Sequence, residues 1–573
     1  MKKGKIVLAL VISAAVALTS TPALSAFATG DSITVNCGSV LRAATHCADG
    51  SLYGVTESIP ADVSGLIAPT NPHVVRNPAE GGSANQHPFG AAIPVAQRLA
   101  VATNAEVSVD FADMLPGWPY TWPGMTSWLS QVNAFISQKK SAGVTNIYGY
   151  EIWNEPDGTW SSSNGDFNSY LWLQTYNDMR ANDPSVKIVG PCYSYYNNTT
   201  MSTFLTYCKA NNCLPDIISW HELSGIANVA PDIKAYRALE TSLGISPRPI
   251  SINEYCDSNH ALEGQPGSLG EFIGKFERYE VDSACISWWF VPLPGRLGSL
   301  LATNTNKGAG WYFMNWYGQM TGNMVNVAVA NDATANIDGA ACVDSSNKYI
   351  SCILGGQNSG TVNTTFTNIP SFIGSTATVQ VQRVDWTSKD TISTGPVTVS
   401  TTSYPVTNGQ ITVTMTGCNA SSGYRIYITP GASSGIVSGN TYRLTSVMSG
   451  LNLDNYNSTT AGNQVGQFTV NGGSTQLWKI TSVGNGYYTL TNQMSGQNLD
   501  NNNVTTVGSH VVQWTVNGGS TQLWKIVNVS GNIYTLQCEM SGLDLDNGNS
   551  TTTGQTVEQY TADGQTTQEW TIK

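Results

Sequence analysis

The sequence predicts a multidomain chain: a (β/α)8 TIM barrel, then an all-β sandwich, then a β-trefoil. Three observations predict it. From about residue 53 to 320, strand-like runs alternate with amphipathic helical patterns. From 321 to 430 the helical period gives way to Val/Thr/Ser-rich alternation. From 440 to 573 one motif recurs three times, 46 residues apart. At 573 residues the chain exceeds a single core, and about 150 residues per domain gives three or four units.

Residues 1–28 read as a signal peptide. Lys2, Lys3 and Lys5 precede an apolar run from Ile6 to Leu18, and Ala26-Phe27-Ala28 offers small residues at a cleavage point. The run falls short of the roughly 20 residues that a membrane span needs. The mature chain is therefore expected to be secreted and extracellular, with no membrane partner. A net charge of −12 with no basic block argues against nucleic acid.

Eleven cysteines suit an oxidising destination. Short loops make Cys37/Cys47, Cys208/Cys213 and Cys342/Cys352 the expected disulfides. Cys256 reads as packed, or bridged to Cys285, with no His in an obvious activating place. Six His and no Cys-x-x-Cys give no metal site and no cofactor.

Residues 29–320 are expected to form the barrel, with strands at 53–57, 73–77, 106–111, 147–153, 187–190, 217–221, 250–255 and 284–290. Helical patterns lie between them. In 125–142, Trp128, Leu129, Val132, Phe135 and Ile136 recur at helical spacing, and further helices are expected at 168–181, 201–210, 233–243 and 270–281.

The chemistry concentrates where barrel strands end, the rim on which such barrels build active sites. Residues 148–157 (YGYEIWNEPD) place Glu155 after the fourth strand, between an amide and a proline. Ninety-nine residues later Glu254 ends the seventh strand. Two carboxylates flanking a glycosidic bond are the minimum equipment for hydrolysing it, one donating a proton and the other meeting the developing positive charge. Glu155 is assigned the acid/base role and Glu254 the nucleophile. An Asn-Glu-Pro taken alone could equally be a helix N-terminal turn; the second glutamate decides the reading.

Around the pair, Asn154 is placed to hold the sugar 2-hydroxyl, and Tyr255 or His221 to orient the nucleophile. Arg76, Asp110, Glu222, Trp288 and Trp289 complete the rim as candidate substrate contacts. Glu151 shares a face with Glu155 and reads as buried and structural.

Residues 321–430, the sandwich, carry no acidic-aromatic cluster and are assigned a structural role. Residues 431–439 form a linker. In the final segment Gln-x-Trp recurs at Trp478, Trp524 and Trp570, with Leu-Asp-Asn in register at Asp454, Asp500 and Asp546. Units this short share one core around a pseudo-threefold axis.

This repeat resembles the ricin-type β-trefoil lectins, carbohydrate-binding module family 13. The resemblance places sugar binding on Asp454, Asp500 and Asp546 with Phe468, Trp514 and Tyr560, and assigns the Gln-x-Trp residues to the core. Trp514 makes the middle repeat the strongest candidate site. The barrel resembles clan A glycoside hydrolases, and YGYEIWNEPD is similar to the family 39 motif, with Tyr148 and Tyr150 where that family usually has Trp and Phe. The family resemblance implies retention of configuration, with the two carboxyl groups about 5–5.5 Å apart.

The expected function is a secreted retaining glycosidase acting on a plant-type polysaccharide and releasing arabinofuranose- or xylose-containing units. The alternatives are an internally cleaving β-glycanase and a catalytically silent lectin. Composition and spacing do not specify an oligomeric state.

Overall fold

The computed structural model describes residues 30–81, 89–257, 260–287, 294–431, 436–484 and 486–573. Eight parallel strands form the barrel: β1 (Gly50–Ser51), β2 (Val74–Pro78), β3 (Glu106–Asp110), β4 (Ile147–Glu151), β5 (Ile188–Tyr193), β6 (Ile217–Glu222), β7 (Ile250–Tyr255) and β8 (Ser283–Ile286). They pair consecutively from β2 to β8, β8 pairs with β1, and a parallel bridge from Leu52 to Arg76 closes the ring.

β1 lies earlier and is shorter than expected. At Gly50 a Cβ would sit 2.3 Å from the Val74 carbonyl and 2.6 Å from that of Ala284, so the strand packs where only glycine fits. Tyr53, at φ 50°, then turns the chain away. Elsewhere the helical period holds: in the helix Met125–Ser141, Trp128, Val132, Phe135 and Ile136 are all buried.

The N-terminal boundary is corrected. Asp31–Ala43 is a strand of the sandwich, pairing with Asn323–Ala328 and Thr361–Thr367. Ile33, Val35 and Cys37 alternate inward along it, the period of a half-buried strand. Helix Pro266–Arg278 joins barrel to sandwich, packing against Asp338–Asp344 and Tyr349–Gly355. A Cβ at Gly270 would lie 2.5 Å from the Gly355 amide. Buried Lys275 and partly buried Arg278 both bind Asp338.

All eleven cysteines are buried free thiols, so none of the expected bridges is formed. Cys37 and Cys47 belong to different hydrophobic cores. Cys342 faces Ser351 while Cys352 faces Ala341, which puts the two sulfurs on opposite sides of the ladder. Cys208 and Cys213 touch without bonding. Cys256 donates to the Asp257 carbonyl and lies 3.3 Å from His260 Nδ1, a neighbour the sequence reading missed. Burial pushes its thiol up, away from nucleophilic use. Cys285 instead contacts the Val74 carbonyl.

The C-terminal domain has threefold regularity. Trp478, Trp524 and Trp570 are fully buried, and each indole donates at 3.0 Å to the carbonyl of Leu453, Leu499 or Leu545. Among the described residues no helix is long and apolar enough to cross a membrane.

Candidate active site

Arg76, on β2, organises the barrel mouth. Its guanidinium donates to Glu151 Oε2 at 2.7 Å, Glu254 Oε1 at 2.6 Å, Asp110 Oδ2 at 2.8 Å and Asn154 Oδ1 at 3.0 Å. Side chains from β2, β3, β4, β7 and the turn after β4 thus converge on one fully buried cation. Its planar fork satisfies all four acceptors at once, which a lysine could not do.

Glu155 follows β4 at φ 50°, leading into the short helix Pro156–Thr159. Left-handed backbone at a non-glycine residue is uncommon and is held here by its surroundings. Glu155 Oε1 lies 2.9 Å from His221 Nδ1, and that nitrogen is 3.7 Å from Glu254 Oε2. Ser287 Oγ donates to Glu254 Oε2 at 3.4 Å. Oxygens of the two glutamates and a His221 nitrogen all lie within 4.8 Å of one another.

Such a trio could hold a cation in other surroundings. Here Arg76 already supplies positive charge to Glu254, and His221 Nδ1 is already engaged with Glu155. His221 Nε2 is buried with no hydrogen-bond partner among the described residues.

The electrostatics of the pair are asymmetric. Burial acts to raise Glu155, but the His221 hydrogen bond and charge, with Arg76, outweigh it and leave the carboxyl lowered. Glu254 is raised: its complete burial exceeds the compensation from His221 and Arg76. Burial opposes charge on His221, yet the two glutamates raise it overall. Burial also pushes Asp110 up to about 7, against the pull of Arg76.

Four rim assignments change. Arg76, expected to contact substrate, is wholly buried and spends its guanidinium on the four protein acceptors. Tyr255 does not face Glu254; its ring packs on Phe272 and Phe276 and its hydroxyl donates to the Ala48 carbonyl at 2.8 Å. Glu222 accepts from Trp220 Nε1 at 2.7 Å, on the strand face where Trp220 packs against Tyr236. His221, one residue between them, takes the inner face by strand alternation. Asp110 is wholly enclosed, bound to Arg76 and to the Ala112 amide, so it supports the site from below. Trp288 and Trp289 lie outside the described residues.

Glu151 is buried as expected, held by Arg76, Ser108 and Asn253. Sequence reasoning missed Ser287, Tyr120 and Asp113. The only signal for Tyr120 was its place in the aromatic Pro116–Pro123 loop after β3.

In the trefoil, Phe468, Trp514 and Tyr560 are 39%, 41% and 42% exposed, whereas Asp454, Asp500 and Asp546 are 3–5% exposed. Asp500 accepts from the Asn502 amide, Thr521 Oγ1 and Gln522 Nε2. The carboxylates are largely spent inside each repeat, leaving the rings as the accessible surface.

A closed parallel barrel with two glutamates at its mouth, a β-sandwich and a trefoil together define the class: a three-domain chain whose barrel carries a buried carboxylate pair at the strand ends. Residues 432–514, 482–560 and 520–573 match the model of the ricin-type beta-trefoil lectin domain-like family. The chain is 56% identical to N2152 from Neocallimastix frontalis, covering 70% of this chain and 100% of that one at a TM-score of 0.69. It belongs to the same family as that protein.

A monomeric β-xylosidase from Caulobacter crescentus shares the fold at 14% identity and a TM-score of 0.51, over 70% of this chain and 100% of that one. Two curated relatives are also similar. The 3-O-beta-L-arabinopyranosyl-alpha-L-arabinofuranosidase of Bifidobacterium pseudocatenulatum is 25% identical over 456 residues, 67% of this chain and 46% of that protein. The 3-O-alpha-D-galactosyl-alpha-L-arabinofuranosidase of Bifidobacterium longum subsp. longum is 26% identical over 453 residues, 66% of this chain and 39% of that protein. The chain thus spans less than half the length of these curated relatives.

Proposed function

We propose that the chain is a secreted, retaining glycoside hydrolase that releases arabinofuranose-containing units from a plant-type polysaccharide, targeted by its trefoil. The observation that carries this is the approach of Glu155 and Glu254 oxygens to within 4.8 Å. Such an approach of one oxygen from each carboxyl supports the roughly 5 Å spacing of double displacement over the roughly 6.5–9.5 Å of inversion. The sugar class rests on the arabinofuranosidase names of the curated relatives.

In the first step Glu254 Oε2, the oxygen not held by Arg76 Nη1, attacks the anomeric carbon. The glycosidic C–O bond breaks and the leaving oxygen takes a proton from Glu155. In the second step ionised Glu155 takes a proton from water, the water oxygen attacks the same carbon, and Glu254 is released. Binding energy directed at the transition state raises the rate, and Asn154 beside Glu155 is positioned to act on the 2-hydroxyl.

In the free site His221 and Arg76 hold the Glu155 carboxyl lowered, while burial leaves the Glu254 carboxyl raised. A bound sugar acts chiefly on Glu155. Glu155 keeps 8% exposure whereas Glu254 has 1%, so covering the mouth desolvates chiefly Glu155 and favours its protonated form. His221 Nδ1, 2.9 Å from Glu155 Oε1, is placed to pass a proton to it when the ring is the imidazolium, which the two glutamates favour.

Product analysis on arabinan, arabinogalactan, xylan and β-glucan tests the reading, with Glu254→Ala as control. Mono- or disaccharides released from an arabinose-bearing polymer support it. A ladder of oligosaccharides indicates an internally cleaving β-glycanase, and binding without hydrolysis indicates a silent lectin.

A further inference from the structure

Asp113 is buried to 0% exposure just beyond β3, and both of its oxygens are taken by phenols. Tyr120 donates to Oδ1 at 2.6 Å, and Tyr53 donates to Oδ2. Burial pushes the carboxyl up to about 7, so above that pH it accepts hydrogen bonds and cannot donate them.

The consequence passes along the chain of contacts. Tyr120 has one hydroxyl proton and spends it on Asp113, so its oxygen offers only lone pairs to its other neighbour. That neighbour is Asn154 Nδ2, at 3.1 Å. The Asn154 amide must therefore present its NH2 to Tyr120 and its carbonyl oxygen to Arg76 Nη2, at 3.0 Å. Guanidinium only donates, so both ends demand the same orientation. One amide N–H and one carbonyl lone pair of Asn154 remain unspent. The Tyr120 ring is itself gripped edge-on by Trp118 and Trp153, each at 5.3 Å between centroids.

We propose that Asp113 and Tyr120 are positioning residues that set which face of the Asn154 amide meets the sugar 2-hydroxyl. This rests on the glycosidase reading of the same site. A correctly turned amide offers the 2-hydroxyl a fixed donor and acceptor. A flipped amide would set NH2 against the Arg76 guanidinium and lose the contact that strengthens in the transition state.

The test uses the full chain at pH 8 with 4-nitrophenyl α-L-arabinofuranoside and its 2-deoxy analogue. Tyr120→Phe should lower kcat on the 2-hydroxyl substrate about 10- to 100-fold, the scale of one lost transition-state hydrogen bond. KM should change little, and the 2-deoxy analogue should lose less than about threefold. Asp113→Asn, whose amide can donate to Tyr120, should shift both substrates in the same direction by less. Equal losses on both substrates would overturn the relay and mark a general structural role.

A crystal structure of Tyr120→Phe supplies a readout independent of turnover. The Asn154 amide, kept on Arg76 through its oxygen, should rotate so that Nδ2 leaves its wild-type position, and an amide plane unchanged from the wild type would overturn the proposal. Wild-type protein inactive on all glycosides, with the amide shifted as expected in Tyr120→Phe, would sink the glycosidase reading and leave the positioning intact.

Discussion

Arg76 Nη1 and Glu254 Oε1 meet at 2.6 Å inside the barrel, both side chains at 1% exposure or less. The contact joins β2 to β7 across the barrel and leaves Glu254 Oε2 for His221 and Ser287. The same guanidinium holds Asp110, Glu151 and Asn154, so the cation fixes Glu254, its neighbours and the residue beside Glu155 together. Arg76→Lys should cut kcat by about 100-fold or more, since a single ammonium cannot orient four acceptors. Arg76→Ala should also cost about 3–5 kcal/mol of stability by stranding buried carboxylates. Urea unfolding alongside kinetics checks both; a variant with unchanged kcat would remove Arg76 from the mechanism.

Glu155→Ala separates the two chemical steps. An aryl glycoside with a good leaving group needs little acid assistance, so its first step should survive while hydrolysis of the intermediate slows about 100-fold or more. Added azide should restore turnover and yield a glycosyl azide of retained configuration. Restoration with inverted configuration would exchange the roles of Glu155 and Glu254.

Glu222, away from the site, makes a prediction about pH. Burial pushes its carboxyl up to about 8, so the folded state holds a proton that the unfolded chain releases near 4.5. Stability from this group is complete below 4.5 and is lost as pH rises toward 8. Glu222→Gln imitates the protonated form and can still accept from Trp220 Nε1. Its unfolding free energy should match the wild type near pH 4.5 and exceed it near pH 8, by a difference on the order of a few kcal/mol. A variant less stable at both pH values would refute the burial argument.

The trefoil separates binding from framework. Trp514→Ala should weaken retention on arabinogalactan while leaving the melting temperature within about 2 °C, because an exposed ring contributes little to folding. Asp500→Ala should lower the melting temperature, since its carboxylate ties the Asn502 amide, Thr521 and Gln522. Binding intact in Trp514→Ala would move the sugar site off this ring.

The fold was legible where periodicity is long: the Met125–Ser141 helix, the strands from β2 to β8 and the threefold Gln-x-Trp repeat. The strand Asp31–Ala43 was missed as part of the sandwich because alternation shows a strand without showing which sheet it joins. Glu155 and Glu254 stood out because each ends a strand. Tyr255 and Glu222 misled for the same reason, since the end of a strand does not show which face the side chain takes. Arg76 was legible as a rim residue, but its four partners come from separate strands that only closure of the barrel brings together. The Cys37/Cys47 and Cys342/Cys352 pairings failed because short sequence loops say nothing of which core each sulfur enters.

The central claim is that Glu254 forms a covalent bond to the sugar. The most direct measurement is mass mapping of peptides after exposure to an activated 2-deoxy-2-fluoro arabinofuranoside, which slows release of the intermediate more than its formation. The account predicts one fluorosugar on the peptide containing Glu254 and none in Glu254→Ala. A substrate-consuming enzyme with no adduct, or an adduct on Glu155, would contradict it.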